Sequence, residues 1–159
     1  MPLEIVDQGK GLTLREPLTD AEWEDYHTLR RTILFERRGQ FGVYNASHGD
    51  ERAPGNHPFL FLLEGEAAGT IRVDIGDSEA IFRLVAIRED LQRRGHGQQM
   101  LALAERLVRD RKKALIHSHV VRTAVGFYER CGFSREGPDR VGETVLMVKA
   151  LGPFRASDS

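Results

Sequence analysis

The feature that most restricts the fold is an apolar strand that runs through a glycine-containing loop into an amphipathic helix. The strand is predicted over Ile81–Ile87, and the loop over 92–97 contains Gly95 and Gly97. After the loop, apolar residues recur at the spacing of one helical face: Met100, Leu101, Ala104, Leu107 and Val108. The continuously apolar strand is typical of a strand buried on both faces. The unit therefore predicts an α/β domain.

The remaining patterns predict one mixed α/β domain over residues 1–159, without internal repeats or a linker. A capping box at Thr19–Glu22 predicts a helix near 20–37. A further helix is expected over 122–130, ended by Gly132. Strands are predicted at 12–15, 59–64, 68–74, 114–119, 133–135 and 143–150. The other segments are interpreted as a polar lead before residue 12, a loop over 39–58 and a frayed tail over 152–159.

Composition excludes several classes of protein. The formal net charge of −1 gives no general attraction to nucleic acid or to an anionic membrane. The single cysteine, Cys131, rules out an internal disulfide and a cysteine-rich zinc site. The N-terminus lacks a signal-peptide pattern, and the longest purely apolar run, Phe59–Leu63, is too short to span a membrane. We expect a cytoplasmic protein with no nucleic-acid or membrane partner.

The loop over 92–97 has the properties of a pyrophosphate site. Its glycines allow close backbone approach, and the helix that follows turns free N–H groups and its positive dipole end toward a ligand. Arg93 and Arg94 add charge. Gln98 and Gln99 stand where a nucleotide P-loop needs Lys and Ser/Thr, and Met100 replaces the third glycine of a dinucleotide fingerprint. An ordinary glycine turn beside solvated arginines is the structural alternative.

A second motif identifies a family. Gln92-x-x-Gly95-x-Gly97 follows an apolar strand, and Ala124-Val125-Gly126-Phe127-Tyr128-Glu129-Arg130-Cys131-Gly132-Phe133 lies about thirty residues further on. Together they resemble the Gln-x-x-Gly-x-Gly and Ala-x-x-Phe-Tyr-x-x-x-Gly-Phe motifs of the GNAT superfamily of acyl-CoA-dependent N-acyltransferases. The resemblance covers about residues 80–150. It implies a central, mixed, mostly antiparallel sheet flanked by helices, in which two splayed strands admit CoA.

The resemblance also implies the reaction and the cofactor contacts. The chain would transfer acetyl from acetyl-CoA, as co-substrate, to a primary amine of a small-molecule or protein acceptor by direct attack in a ternary complex. No metal is needed, and a homodimer is left open. The strand edge would meet the pantetheine and thioester, and the loop amides would hold the pyrophosphate. The implied cofactor-binding residues are Val85, Ala86, Ile87, Gln92, Arg93, Arg94, Gly95, His96, Gly97 and Gln98.

Tyr128 is the candidate catalytic residue. Expelling CoA leaves a thiolate that needs a proton, and a phenol holds its proton at neutral pH yet can give it to such a group. The resemblance assigns this role to Tyr128, and an N–H of Val85–Ile87 would hold the oxyanion. The alternative is a core tyrosine bonded to a carbonyl. Val121 stands where many members carry a cofactor-binding asparagine, and His119 lies nearby.

The general base is not identified by the sequence. Asp74, Glu79, His117 and His119 all lie on strands expected to border the cleft. Arg83 is expected either to orient an anionic group of the substrate or to pair with a carboxylate on a neighbouring strand.

Other polar and reactive residues favour structural roles. His48 and His57 lack the spacing of a metal site. The basic run 109–113 is interpreted as a charged helix end, and Cys131 as a packing residue. A CoA-binding regulatory module without turnover is the alternative function, and a nucleic-acid-associated domain is a remote third.

Overall fold

The computed structural model describes residues 3–35, 42, 44, 53–137 and 144–152. Within these ranges eight strands form one sheet: β1 Glu4–Asp7, β2 Leu12–Arg15, β3 Asn56–Leu63, β4 Glu66–Ile75, β5 Glu79–Ile87, β6 Leu115–Val121, β7 Ser134–Arg135 and β8 Thr144–Ala150. The α-helices are α1 Asp20–Arg30, α2 His96–Asp110 and α3 Val125–Arg130. The strand order is β1-β2-β3-β4-β5-β6-β8-β7. Neighbouring strands are antiparallel except β5 and β6, which confirms the expected mixed, mostly antiparallel sheet.

Side chains alternate between the two faces of the sheet, and helices cover both faces. In β3, Phe59 and Phe61 belong to the main core, which includes the apolar face of α2. Leu60 and Leu62 point the other way and pack with Tyr26 of α1. This period-two alternation explains why the strand sequence is apolar on every residue. The two faces are called the α2 side and the α1 side below.

Helix α1 begins at the predicted cap but ends earlier than predicted. The Glu22 amide donates to the Thr19 hydroxyl at 3.1 Å, which confirms half of the capping box. The Glu22 carboxylate accepts from the Leu18 amide at 2.9 Å and pairs with Arg15, and it also interacts with the Thr19 backbone amide, which agrees with the reciprocal half of the box. After Arg30 the chain forms a π-helical turn over Arg31–Phe35. Residues 36 and 37 of the predicted helix lie outside the described residues.

Two strand predictions were wrong at their boundaries. The predicted polar lead contains β1, which pairs with β2 and buries only Ile5, so its sequence has almost no strand signal. The predicted loop over 39–58 gives its last three residues to β3, because β3 begins at Asn56. Pro58 fits there because the pairing of β3 with β2 stops at Leu60 and Arg15, so among the described residues no strand pairs with Pro58 on that side. The rest of that loop lies largely outside the described residues.

The remaining elements follow the predictions closely. The turn between β3 and β4 has positive φ at Glu64 (51°) and Gly65 (81°), as a tight hairpin requires. A 3₁₀ turn over Arg122–Ala124 precedes α3, and Gly132 ends that helix with φ of 92°. The predicted tail over 152–159 lies outside the described residues except for Gly152. No described helix combines the length and the apolar character that a bilayer span needs.

Strand β5 departs from its prediction in a way that shapes the molecule. It was expected to be buried on both faces, but Leu84, Val85 and Ile87 are only partly buried. Thr70 pairs with Ala86 and Arg72 with Arg83, so β5 carries one more residue than β4 between these pairs. Leu84, inside this bulge, has φ of 55°. A bulge bends and twists its strand, and here the bend faces a cavity.

Candidate functional site

The parallel strands β5 and β6 pair only over their first halves. The last pair is Phe82 with Ser118, after which the Ser118 hydroxyl donates to the Phe82 carbonyl at 3.0 Å. Beyond this fork β6 stays paired with β8 as far as Val121 and Thr144. The gap between the strands is a cavity of about 980 Å³. This agrees with the splayed strands that the family resemblance implies.

Both motifs and the end of α1 contribute to the cavity wall. The lining residues are Leu84, Val85, Ala86 and Ile87 of β5; Gln92, Arg93, Gly95, Gly97 and Gln98 of the loop and the start of α2; Ser118, His119, Val120 and Val121 of β6; Thr123, Ala124, Phe127, Tyr128 and Arg130 around α3; and Ile33, Leu34, Phe35, Phe82 and Thr144. The π-helical turn thus supplies apolar residues to the cavity wall. Such turns are frequent at functional sites.

The end of β5 presents to the cavity a backbone edge that has no strand partner among the described residues. Gly69 and Thr70 of β4 pair with Ile87 and Ala86 on one side, and β6 has left the other side. Buried backbone N–H and C=O groups need partners, so this edge is suited to a ligand with amide groups of its own. Gly69 holds the edge in place: a β-carbon there would lie 2.6 Å from the Ala86 carbonyl oxygen.

The glycine loop presents the N-terminus of α2 to the same cavity. Arg93 and Gly95 have φ of 66° and 84°, and Gly95 caps α2 without any side-chain hydrogen bond. The Gln92 side-chain amide donates to the Ile87 carbonyl at 2.9 Å and ties the loop to the end of β5. A β-carbon on Gly97 would lie 3.0 Å from the Phe127 ring. The first amides of a 15-residue helix are therefore held toward the cavity, an arrangement that favours an anion.

Not every predicted cofactor residue faces the cavity. Arg93 lines it, whereas Arg94 and His96 do not, and the His96 Nδ1 instead lies 3.1 Å from the Gln99 Oε1. Arg130 also lines the cavity and was missed by the sequence reasoning. Its position, two residues after Tyr128 in the second motif, is the signal that was available. The described part of the lining contains no carboxylate.

Tyr128 lies in the cavity wall but is also a core residue. It is 6% exposed, and its ring packs edge-on against Phe127 and Phe133 at centroid distances of 5.4 and 5.3 Å. Burial raises the pKa of the Tyr128 phenol to about 12, although a hydrogen bond with the Ser118 side chain opposes this shift. The phenol is therefore protonated throughout the physiological range. Its burial agrees with the interpretation as a core tyrosine, although its partner is the Ser118 side chain and not a carbonyl, and its catalytic role stays a prediction.

The four candidate bases are placed very differently. Asp74 accepts hydrogen bonds from Arg72 and Arg83, each at 2.8 Å, which confirms the expected pairing of Arg83 with a neighbouring strand. His117 lies 3.4 Å from Glu79. Only His119 lines the cavity.

The residues expected to be structural have structural contacts. His57 lies 3.3 Å from Glu16, and His48 is outside the described residues. In the basic run, Arg109 pairs with Glu105 at 3.4 Å and Lys113 donates to the Asp77 carbonyl at 2.9 Å. Cys131 packs against the main core, and burial raises the pKa of its thiol. Across the described ranges, no group of three or more His, Cys, Asp or Glu residues is placed to hold a metal ion.

Comparison with known proteins decides the family. The sequence profile described as "Acetyltransferase (GNAT) family" matches residues 15–133. The chain belongs to the GNAT acetyltransferase family. Members of this family are acyltransferases, so the two motifs were correctly interpreted. No curated protein gives a significant sequence match to this GNAT chain.

Solved structures share the fold at low sequence identity. A PaiA N-acetyltransferase from Thermoplasma acidophilum, in complex with coenzyme A, has a TM-score of 0.69 and 15% identity over 88% of this chain and 99% of that one. A ribosomal-protein-S18-alanine N-acetyltransferase from Escherichia coli has a TM-score of 0.67 and 18% identity over 91% and 97%. A spermidine N-acetyltransferase from Vibrio cholerae, in complex with CoA and spermine, has a TM-score of 0.68 and 19% identity over 88% and 95%. At these identities the likeness establishes the fold.

Proposed function

We propose that this GNAT protein transfers an acetyl group from acetyl-CoA to a primary amine by direct attack in a ternary complex. The observation that carries the proposal is the fork at Phe82 and Ser118. It opens a cavity whose wall includes the free edge of β5, the N-terminus of α2 and Tyr128. Two of the structural relatives were solved with CoA, which supports the same donor here.

The proposed seat of acetyl-CoA follows from the chemistry of its parts. The pyrophosphate lies against the free amides of α2 and the guanidinium groups of Arg93 and Arg130, because these groups supply positive charge on the cavity wall. The pantetheine amides bond to the open edge of Val85–Ile87, where the Ile87 carbonyl already accepts from Gln92. An N–H of that edge stabilises the oxyanion as the carbonyl becomes tetrahedral.

Tyr128 is the proposed proton donor to the leaving thiolate. Its raised pKa, about 12, keeps the proton in place until the C–S bond breaks. A buried site poor in water also raises the basicity of the thiolate, since a charged sulfur is poorly solvated there. A positioned acid of this kind contributes about 10²–10⁴-fold to rate.

The test is thiol release from acetyl-CoA with a panel of amines: spermidine, glycine, lysine, phenethylamine and a peptide that begins with alanine. We expect turnover with at least one amine, and a loss of about 10²-fold or more in kcat for Tyr128→Phe with little change in the Kd of acetyl-CoA. Binding of acetyl-CoA without thiol release across the panel would instead favour a CoA-binding regulatory module. Full turnover by Tyr128→Phe would remove the assigned acid but leave the activity.

The acceptor stays open within this proposal. The structural relatives named above include one for a polyamine and one for a ribosomal protein, and the described cavity wall has no carboxylate to bind a polycation. A cytoplasmic location and a homodimer stay predictions from the sequence.

A further inference from the structure

We infer that His119 is the general base that takes the proton of the acceptor amine. The inference rests on the proposed function and identifies a catalytic residue that the sequence left among four alternatives. It follows from two features of β6: the point at which it separates from β5, and the opposite directions of its neighbouring side chains Ser118 and His119.

The first observation is that Ser118 and His119 point to opposite sides of the sheet. Ile116 and Val120 belong to the main core on the α2 side, and Ser118 shares their face. Ser118 interacts with the Tyr128 phenol, so the proposed acid lies on that side. His119 is therefore on the α1 side, where it is paired with Leu146 of β8.

The second observation is that His119 is the first residue of β6 beyond the last β5–β6 pair. It is exposed, lines the cavity and forms no hydrogen bond or ion pair within the part of the chain that the structure describes. The other ionisable side chains in the described lining are Tyr128, Arg93 and Arg130. Histidine is the side chain that normally exchanges protons near neutral pH. His119 is thus free to accept one.

The rival bases lie among charged groups on the same face of the sheet, and none of them lines the cavity. Asp74 accepts from both Arg72 and Arg83. His117 lies between Glu79 at 3.4 Å and Glu136 at 3.8 Å.

Arg72, Asp74, Glu79, Arg83 and His117 share the α1 side of β4, β5 and β6 with His119, and further along the same side Arg15 pairs with Glu22 and Arg30 of α1 contacts Tyr26. On β8 the neighbouring residues are Leu146 and Thr144, and the π-helical turn contributes Ile33, Leu34 and Phe35 to the cavity; none of these five is charged.

The two proton transfers are assigned to side chains on opposite sides of the sheet. His119 takes a proton from the amine, and Tyr128 gives a proton to the leaving thiolate. The acceptor enters as an ammonium ion and gives one proton to the His119 imidazole, which releases it to solvent after the amide has formed. Its nitrogen then forms the N–C bond, and the C–S bond breaks. The thiolate takes the proton of Tyr128, and the second proton lost by the nitrogen restores the phenol. The sum is ammonium plus thioester giving amide, thiol and one proton.

The test uses the best amine of the panel at saturating acetyl-CoA, with kcat/KM for the amine measured from pH 5 to 7.5. An imidazole base must be neutral to take the proton of the bound ammonium, so the wild-type log(kcat/KM) should rise with pH at a slope of one at acid pH and then reach a plateau. We expect His119→Gln to show a slope of one throughout and about 10²-fold lower kcat at pH 7.5.

His117→Gln is the matched control, since it removes an imidazole from the same strand and face without touching the cavity wall. It should keep the wild-type profile, with its slope of one and its plateau. Calorimetry with acetyl-CoA should give the same Kd for all three proteins and so show that each is folded. A His119→Gln enzyme with the wild-type profile would overturn the inference while leaving the transferase activity intact. A wild-type protein without turnover on any amine would instead overturn the proposed function.

Discussion

At the residue scale, the buried phenol of Tyr128 links stability to pH. Its pKa is raised to about 12 in the folded protein, whereas an unfolded tyrosine titrates near 10. The stabilisation that comes from burying the neutral phenol is therefore fully present below pH 10 and is lost as pH rises toward 12. Two pKa units correspond to about 3 kcal/mol.

We predict that urea unfolding will show a steeper loss of stability between pH 9.5 and 11.5 for the wild type than for Tyr128→Phe. The other titrating groups are common to both proteins and cancel in the comparison. Parallel curves would mean that Tyr128 is accessible to water and ionises at its ordinary pKa.

Two adjacent arginines provide a sharp test of the phosphate site. Arg93 lines the cavity and Arg94 does not. A charge-assisted hydrogen bond contributes about 1.5–3 kcal/mol, so Arg93→Ala should weaken acetyl-CoA binding about 10- to 100-fold. Arg94→Ala makes the same chemical change one residue away and should have a much smaller effect. Calorimetric titration with acetyl-CoA measures both, and equal losses would argue against the assigned orientation of the loop.

At the scale of elements, the contact between β4 and β5 fixes the edge that we assign to the cofactor. A β-carbon on Gly69 would meet the Ala86 carbonyl at 2.6 Å and the Ile87 side chain at 2.8 Å. Because one of these neighbours is backbone, the strands must move apart. We expect Gly69→Ala to lower the free energy of unfolding by about 1–3 kcal/mol and to weaken acetyl-CoA binding as well.

Gly126→Ala is the control for that prediction. Gly126 is an exposed residue inside α3, and its β-carbon would lie no closer than 3.5 Å to the Arg130 side chain. Alanine in a helix is favoured over glycine, so stability should rise by about 0.5–1 kcal/mol. Urea unfolding compares the two variants. A Gly69→Ala protein as stable as the wild type, with unchanged affinity, would show that the β5 edge is not held in this way.

At the scale of the whole molecule, local patterns predicted most elements, and the errors have non-local causes. The β5 bulge depends on its register with β4, which no pattern within Ile81–Ile87 reveals. Strand β1 is held by pairing with β2 and buries one residue. The start of β3 at Asn56 depends on its pairing with Asp74 of β4.

For the candidate site too, the sequence predicted the local motifs but not the directions of the side chains. Its motifs were visible because glycines and the Phe127–Tyr128 pair stand at fixed spacings. Which of Arg93 and Arg94 faces the cavity, and which candidate base does, depends on backbone direction at a loop and on the face of a strand. The sequence alone does not fix either.

The most direct test of the whole account is a crystal structure of the protein with acetyl-CoA. We predict that the pyrophosphate will lie at the N-terminus of α2 within hydrogen-bonding distance of backbone amides between Gln92 and Gln98. The pantetheine should run along Val85–Ile87, with the sulfur close to the Tyr128 hydroxyl. Acetyl-CoA bound elsewhere, or seated in the cavity with its sulfur remote from Tyr128, would contradict the account.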